Sequence, residues 1–224
     1  EYTEQPDAQL TSLTDRLTHL TENEAQQLVL TTTLRQAKAL KTQTQQILNE
    51  QRRERAMPIV EQMQWIAAGS AFASPLPSLD LLASTAINAQ LIVDLGSVYG
   101  QTFSLQQGKK AASTLAELLV KLGLVELSTQ AFGSLLKTHA ATYVAGGALQ
   151  GGSAAYLTRT VGLSLVEFFE EQSYLPVKQQ KFAFSEMGGR LQTIFKATKQ
   201  GLSLQTFVQQ ALSHLPVAEK TAAA

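Results

Sequence analysis

Residues 79–99 read LDLLASTAINAQLIVDLGSVY, and this stretch decides the fold class. Ser78, which precedes it, is predicted to be a helix N-cap, and Gly100, which follows it, is predicted to end the helix. Apolar residues fall on every side of a helix built from this stretch, so the helix lies either at the centre of a bundle or in lipid. The sequence therefore predicts a central apolar helix.

A second stretch with few charges runs from Thr138 to Val166, where Arg159 is the only fixed charge. It contains four glycines between residues 146 and 152. Glycine costs roughly 1 kcal/mol per position inside an exposed helix, so these glycines need a packing reason. Gly147 and Gly151 stand four residues apart, a spacing that lets two helix backbones approach closely. This stretch is predicted to form the second central apolar helix.

The two stretches fit a membrane only under restrictive conditions. A membrane span needs about 20 largely apolar residues, so Asp80 and Asp94, or Arg159, would have to lie at the helix ends or face inward. Gly, Ala, Ser and Thr are abundant in both stretches, which weakens their transfer into lipid. A soluble bundle that opens reversibly onto lipid fits this composition as well as permanent insertion.

Asp80 is an acid in an otherwise uncharged surrounding, where it has to be solvated, capping or paired. One interpretation places it at the positive end of its helix, where it stabilises the N-terminus. The other interpretation pairs it with Arg159, so that an ion pair joins the two apolar helices. The sequence leaves both open.

The first 57 residues are predicted to form a long helical arm. A capping box at Thr21 and Glu24 predicts that a second helix starts there and runs to about Arg55. These helices are interpreted as a solvated pair that packs on a neighbour, or as part of a coiled coil with irregular heptads. Leucines at helical spacing open the arm: Leu10, Leu13, Leu17 and Leu20.

The remaining helices are predicted from local signals. Pro58 suits the first turn of a helix that carries Trp65 and ends near residues 74–77. Ser104 is predicted to cap a further helix, which Gly123 ends or bends. Later helices are expected at 124–137, around 191–198 and from residue 203. The fold class is all-α, a multi-helix bundle with two central apolar helices and a long N-terminal helical arm. The predicted segments are a helical arm or linker (1–57), an apolar helical domain (58–172) and C-terminal amphipathic helices (173–224).

The sequence contains no recognisable catalytic, cofactor-binding or metal-binding motif. Eighteen basic residues balance eighteen acidic ones, which argues against nucleic acid as a partner, and cysteine is absent. Gly108-Lys109-Lys110 lacks both the first glycine and the hydroxyl of a phosphate-binding loop. Glu167, Glu170 and Glu171 are interpreted as the return of an apolar helix to water. Catalytic, cofactor and metal sites are therefore predicted to be absent. The three histidines, which stand apart from one another, are His19, His139 and His214.

Several short motifs, taken together, carry a family resemblance. They are Trp65-Ile66-Ala67-Ala68-Gly69, Ser74 to Asp80, Asn88-Ala89-Gln90, Val98-Tyr99-Gly100, and the block from Gln150 to Arg159 with Gly162. Over residues 58–172 the chain resembles the YcjF-like membrane domain (domain of unknown function 697) that accompanies Era-like GTPases, particularly in cyanobacterial and plastid-type proteins. Asp80, Tyr99, Gly100 and Arg159 match motif positions, to which the family attaches no established activity.

The resemblance implies a membrane-associated partner of a GTPase, on a cytoplasmic or stromal face. The first functional hypothesis is therefore a non-catalytic domain that mediates membrane association, transmits the nucleotide state of a GTPase domain in the same chain or a neighbouring protein, or does both. The alternative is a soluble helical module for protein–protein interaction or dimerisation, with a homo-oligomer as one form. The candidate structural or membrane residues are Asp80, Arg159, Gly147, Gly151, Trp65, Tyr99 and Gly100.

Overall fold

A computed structural model describes residues 10–73, 77–138, 145–199, 206–207 and 210, and these residues confirm the all-α helical bundle. No β-strand occurs among them. The helices are α1 (Thr11–His19), a π-helical turn (Leu20–Glu24), α2 (Ala25–Ala73), α3 (Pro77–Val98), α4 (Leu105–Lys121), α5 (Leu124–Thr138), α6 (Ala145–Ser173), two 3-10 turns (Val177–Gln179 and Phe184–Glu186) and α7 (Gly188–Lys199).

The chain divides into two compact units, Glu1–Ile47 and Leu48–Ala224. In the N-terminal unit no residue between Leu10 and Ile47 is buried. The C-terminal unit holds the hydrophobic core. The predicted division into segments 1–57, 58–172 and 173–224 stays a prediction about domain organisation.

The predicted helix start at Thr21 is wrong. The chain passes from α1 through the π-helical turn into α2 without leaving a helical conformation. Thr21 Oγ1 donates to the carbonyl oxygens of Leu17 and Thr18, both at 3.0 Å, so its hydroxyl bonds back into the preceding turn instead of capping the next one. A Thr-x-x-Glu pattern inside a continuous helix has the same spacing as a capping box.

The predicted helix start at Pro58 is also wrong, because Pro58 lies inside α2. A proline in a helix interior removes one hydrogen bond and costs about 3 kcal/mol. Ala56 and Val60, on either side of it, are fully buried in the core. Continuing the helix keeps both residues packed, and this packing overrides the local preference of proline.

α3 begins at Pro77, so Ser78 lies in the first turn and not at the predicted N-cap. The fixed φ of proline suits the first helical position, which explains the earlier start. The predicted end at Gly100 is confirmed. Gly100 has a φ of +76°, and the N–H groups of Gly100 and Gln101 donate to Ser97 O at 3.0 Å and Gly96 O at 2.8 Å. This is the Schellman arrangement that ends many helices.

Caps and turns set the path from α3 to α5. Ser104 Oγ accepts from the Gln107 N–H at 3.2 Å, while Gln107 Oε1 accepts from the Ser104 N–H at 2.8 Å. This reciprocal capping box confirms the predicted cap. Gly123, with a φ of +65°, separates α4 from α5 as predicted.

Glycines allow close packing of α6 at two places. A Cβ on Gly152 would lie 2.6 Å from the ring of Phe132 on α5, and a Cβ on Gly162 would lie 2.8 Å from Val60 on α2. Both distances are shorter than real Cβ contacts, so only glycine fits without displacement. The residues of α3 and α6 that are completely buried include Leu91, Ile92, Leu95, Leu165 and Val166.

α7 closes the core over α6. Leu191 and Phe195, which the sequence assigned to one amphipathic helix, are buried. Tyr156 on α6 donates its hydroxyl to Phe195 O at 3.0 Å, and the two rings meet edge to face with centroids 5.1 Å apart. Burial raises the pKa of Tyr156 to about 12. The tyrosine is therefore neutral and acts as a structural donor.

Candidate functional site

A largely apolar cavity of about 280 Å³ lies in the C-terminal unit. Its walls come from the end of α2, from α3, from the middle of α4, from the start of α5 and from the first half of α6. Short side chains such as Ala67, Ala116 and Ala154 leave the space that longer ones would fill. The cavity is thus a product of small residues on several helices.

The described residues that line the cavity include no charged or histidine side chain and no aromatic one. The polar lining residues are uncharged: Ser70, Thr85, Asn88, Thr129, Gln150, Ser153 and Thr158. Such walls are suited to an apolar molecule with few polar atoms. The described walls offer no side chain that could act as a general acid or base.

Ser153 has a buried hydroxyl without a hydrogen-bond partner in the described residues. The residue is only 7% exposed. Two other buried hydroxyls on α6 donate to the carbonyl four residues earlier: Thr160 Oγ1 to Tyr156 O at 2.9 Å and Ser164 Oγ to Thr160 O at 2.7 Å. Ser153 does not make this bond, although the same carbonyl geometry is available to a helical serine.

A second site is a polar cluster around Glu170 near the end of α6. Arg53 on α2 donates to Glu170 through Nε at 2.9 Å and through Nη2 at 2.6 Å. Tyr99, at the end of α3, donates its hydroxyl to Glu170 Oε1 at 3.1 Å. The Arg52 guanidinium lies 5.7 Å from the centre of the Tyr99 ring. The cluster joins three helices through one carboxylate.

The contacts of the cluster raise the pKa of both groups that donate to Glu170. Burial, together with the negative charge of Glu170, raises the pKa of Tyr99 well above its usual range. The hydrogen bond to Glu170 raises the pKa of Arg53, so the guanidinium stays charged. A neutral tyrosine and a charged arginine therefore both donate hydrogen bonds to Glu170 and connect α6 with α2 and α3.

The neighbouring carboxylates have arginine partners too. Arg190 on α7 contacts Glu171 and lies 3.8 Å from Glu167. The three glutamates that the sequence assigned to a return to water are thus partners of Arg53 and Arg190, which bind α6 to α2 and α7. The sequence missed these pairs because Arg53 and Glu170 are 117 positions apart.

Arg159 and Trp65, two of the predicted site residues, both lie near Phe207. Arg159 donates from Nη1 to Gln64 Oε1 at 3.2 Å, and Arg159 and Phe207 line one groove of about 600 Å³. Trp65 stacks on Phe207 with ring centroids 5.4 Å apart. Tyr99 belongs instead to the cluster around Glu170, and Gly100 follows it at the end of α3. Arg53 of that cluster lines the same groove as Arg159, so the two groups are neighbours.

Three other predicted positions are described only in part. The side chain of Asp80 lies outside the described residues, so both of its interpretations, including the ion pair with Arg159, stay predictions. The surroundings of Gly147 lie outside the description as well. Gly151 is buried in α6, and the predicted close approach of a second helix at Gly147 and Gly151 stays a prediction.

No group of three or more potential metal ligands lies together among the described residues. Within the same ranges, no helix combines the length and the hydropathy that a membrane crossing requires.

A family profile described as Domain of unknown function (DUF697) matches residues 35–213. The chain belongs to this family. The DUF697 match begins inside α2 and continues past α7, so it covers more of the chain than residues 58–172, where the resemblance in sequence motifs was found. No curated protein and no solved structure showed significant similarity to the chain. DUF697 membership brings no activity with it.

Sequence reasoning missed Ser153 and the close approaches at Gly152 and Gly162 as distinct features. All three belong to the motifs that carried the family resemblance, but spacing alone assigned the packing role to Gly147 and Gly151. The unpaired state of the Ser153 hydroxyl depends on its neighbours in three dimensions. No local signal could have shown it.

Proposed function

We propose that this chain is a non-catalytic helical association domain that pairs with a second copy of itself through its N-terminal unit. The observation that carries the proposal is the exposure of large apolar side chains along that unit. These residues are Leu10, Leu13, Leu17, Leu28, Val29, Leu30, Leu34, Leu40 and Ile47. Leu10, Leu13 and Leu17 recur at steps of three and four on one helical face, and a contiguous exposed apolar face is typical of an interaction surface.

Packing within the unit does not account for its helical form. An isolated helix is only marginally stable in water, and most helices in proteins are stabilised by packing of an apolar face. Since no residue from Leu10 to Ile47 is buried, a partner supplies this stabilisation in the proposal.

The charges of the N-terminal unit favour a second copy as that partner. Between residues 10 and 47, the first half carries three acids (Asp15, Glu22 and Glu24) and one base (Arg16), and the second half carries three bases and no acid: Arg35, Lys38 and Lys41. An antiparallel pair with a two-fold axis near Val29 brings each acidic half beside the basic half of the other copy. Complementary charge of this kind sets the orientation of paired helices.

The test is a charge exchange. One variant carries Glu22→Lys with Glu24→Lys, and the other carries Arg35→Glu with Lys38→Glu. We expect the wild-type chain to sediment as a dimer, each variant alone to sediment mainly as a monomer, and their equimolar mixture to recover the dimer. Lys109→Glu with Lys110→Glu, on the exposed surface of α4, is the matched control and leaves the dimer intact.

A wild-type chain that remains monomeric at high concentration contradicts this proposal. So do charge variants that each dimerise as well as wild type. A monomer that floats with lipid vesicles assigns the same apolar residues to lipid.

A second candidate function is membrane association linked to a GTPase. It is supported by the low charge of residues 71–99 and 138–166 and by the resemblance described above. In this proposal the C-terminal unit associates reversibly with a cytoplasmic or stromal membrane face and responds to a GTPase domain in the same chain or a neighbouring protein. A phosphate-binding loop encoded upstream of residue 1 or in an adjacent gene supports the link, and its absence from both removes it.

Flotation of the full chain with vesicles tests the membrane candidate. Binding to neutral and anionic vesicles that persists at high salt supports apolar insertion. Binding that salt abolishes indicates attraction of basic residues to anionic lipid. Absence of flotation on either vesicle type contradicts membrane association.

A further inference from the structure

The apolar cavity of the C-terminal unit has no described lining residue in the segment 10–47 that the proposed self-association uses. We propose that it is a binding site for a neutral aliphatic molecule that carries one uncharged oxygen group, such as a medium-chain alcohol. The inference is independent of the proposed function, because every described residue that lines the cavity lies C-terminal to Ile47.

Volume sets the size of the ligand. An apolar cavity of about 150 Å³ inside a protein binds a benzene molecule. The present cavity, at about 280 Å³, is nearly twice as large. It approaches the lower end of small-molecule sites, which begin at about 300 Å³. A chain of about eight to ten carbon atoms suits this space.

The walls set the charge and shape of the ligand. No described lining residue is ionisable, so a carboxylate or an ammonium group in the cavity would lose its water without gaining a counter-charge. Leucine, isoleucine, valine and alanine supply the apolar lining in place of rings that could stack on an aromatic ligand. A neutral aliphatic chain meets both conditions.

Ser153 supplies the polar contact. Its hydroxyl is buried and lacks a hydrogen-bond partner in the described residues, and a buried polar group in that state is normally satisfied by a water or a ligand. Ser153 is itself one of the residues that line the cavity. As both donor and acceptor, it can bind either an alcohol or a carbonyl group.

The experiment compares 1-octanol with octanoate, which share one chain length and differ in charge at pH 7. Binding to the full chain is measured by titration calorimetry and by the shift in melting temperature. We expect saturable binding of 1-octanol with a rise in melting temperature. Octanoate is expected to bind at least roughly tenfold more weakly, because its charge would be desolvated without a partner.

Two variants fill the cavity and one removes the polar contact. Ala154→Leu and Ala116→Leu each place a larger side chain on the wall and are expected to abolish 1-octanol binding while the chain still unfolds cooperatively. Ala86→Leu, on the exposed surface of α3, is the control and leaves binding unchanged. Ser153→Ala is expected to weaken binding roughly five- to tenfold, whereas Ser164→Ala, away from the cavity, does not.

The proposal is overturned if 1-octanol shows no saturable binding to the wild-type chain, or if both filled variants bind it as tightly as wild type does. Equal affinity for octanoate and 1-octanol contradicts the requirement for a neutral ligand. Unchanged affinity in Ser153→Ala contradicts the role of this hydroxyl.

Discussion

Two regions of the chain reach the same helical conformation by different means. Between Leu10 and Ile47 no residue is buried, and Leu30 is 71% exposed. In the C-terminal unit, by contrast, Leu91 and Leu165 are completely buried and arginine–carboxylate pairs join the helices. The comparison separates local helix preference, which both regions have, from tertiary packing, which only the second shows within one chain.

The largest expected effect comes from truncating one leucine in each region. Leu91→Ala is expected to lower the free energy of unfolding by about 2–5 kcal/mol, because it leaves a space in the core. Leu30→Ala is expected to change the unfolding of the C-terminal unit by less than about 0.5 kcal/mol. Chemical denaturation, followed at a concentration where the chain is monomeric, measures both. Equal losses would show that the N-terminal unit is packed within the same chain.

The next largest loss of stability is expected at Gly162, where α6 approaches Val60 on α2 closely. Gly162→Ala pushes a methyl group into Val60, whose branched side chain has little freedom to move, so a loss of about 1–3 kcal/mol is expected. The additional change Val60→Ala makes room for the methyl group. In a double-mutant cycle we expect the two losses to be clearly less than additive, and plain additivity would contradict direct contact.

Two serines on α6 provide a matched pair. Ser153→Ala removes a buried hydroxyl without a hydrogen-bond partner in the described residues, while Ser164→Ala removes one that donates at 2.7 Å. We expect the Ser153 variant to be the more stable of the two by about 1 kcal/mol, since an unsatisfied buried group is costly and a satisfied one is not. Thermal unfolding of the ligand-free chain decides the order, and the reverse order would indicate that Ser153 has a partner.

The capping-box patterns at Thr21 and Ser104 lie in different regions, and removing each hydroxyl is expected to have a different effect on stability. Ser104→Ala removes a real N-cap and is expected to cost about 1 kcal/mol. Thr21→Ala is expected to change stability by less than about 0.5 kcal/mol, because Thr21 bonds back into its own helix. A helix content that falls in Thr21→Ala, measured by circular dichroism, would contradict the continuous helix.

The smallest expected effect is the contribution of Tyr99 to the pH dependence of stability, which is absent at neutral pH. The folded chain holds the Tyr99 proton more tightly than the unfolded chain, whose tyrosine titrates near pH 10. The folded state therefore binds more protons above that pH, and stability falls as the pH rises above about 10. Tyr99→Phe is expected to have a shallower alkaline loss than wild type. Equal slopes in urea titrations between pH 9 and 11 would contradict the shift.

Local signals were sufficient for much of the fold. The ends at Gly100 and Gly123 and the cap at Ser104 were predicted correctly because each depends on residues within one turn. The same dependence on local signals led to the wrong helix starts predicted at Thr21 and Pro58. At Pro58, the burial of Ala56 and Val60 decides that the helix continues, and burial depends on helices far along the chain.

The candidate sites were harder to predict from sequence. Tyr99 was selected from a motif, but its partners Glu170 and Arg53 are remote in sequence. The cavity arises where short side chains from five helices face one another, so no single stretch of sequence predicts it. That its described walls lack ionisable residues follows only from the packing of the helices, because it requires knowing which residues face the cavity.

The positive φ angles of Gly100 and Gly123 have a stereochemical consequence. At these two positions the backbone occupies the region that is favourable for D-amino acids and unfavourable for L-amino acids. In a chain made by chemical ligation, D-alanine at either position should therefore fit the native turn and reduce the freedom of the unfolded chain, whereas L-alanine should strain the turn. The segments before and after α4 thus each contain one glycine whose backbone is in the left-handed region.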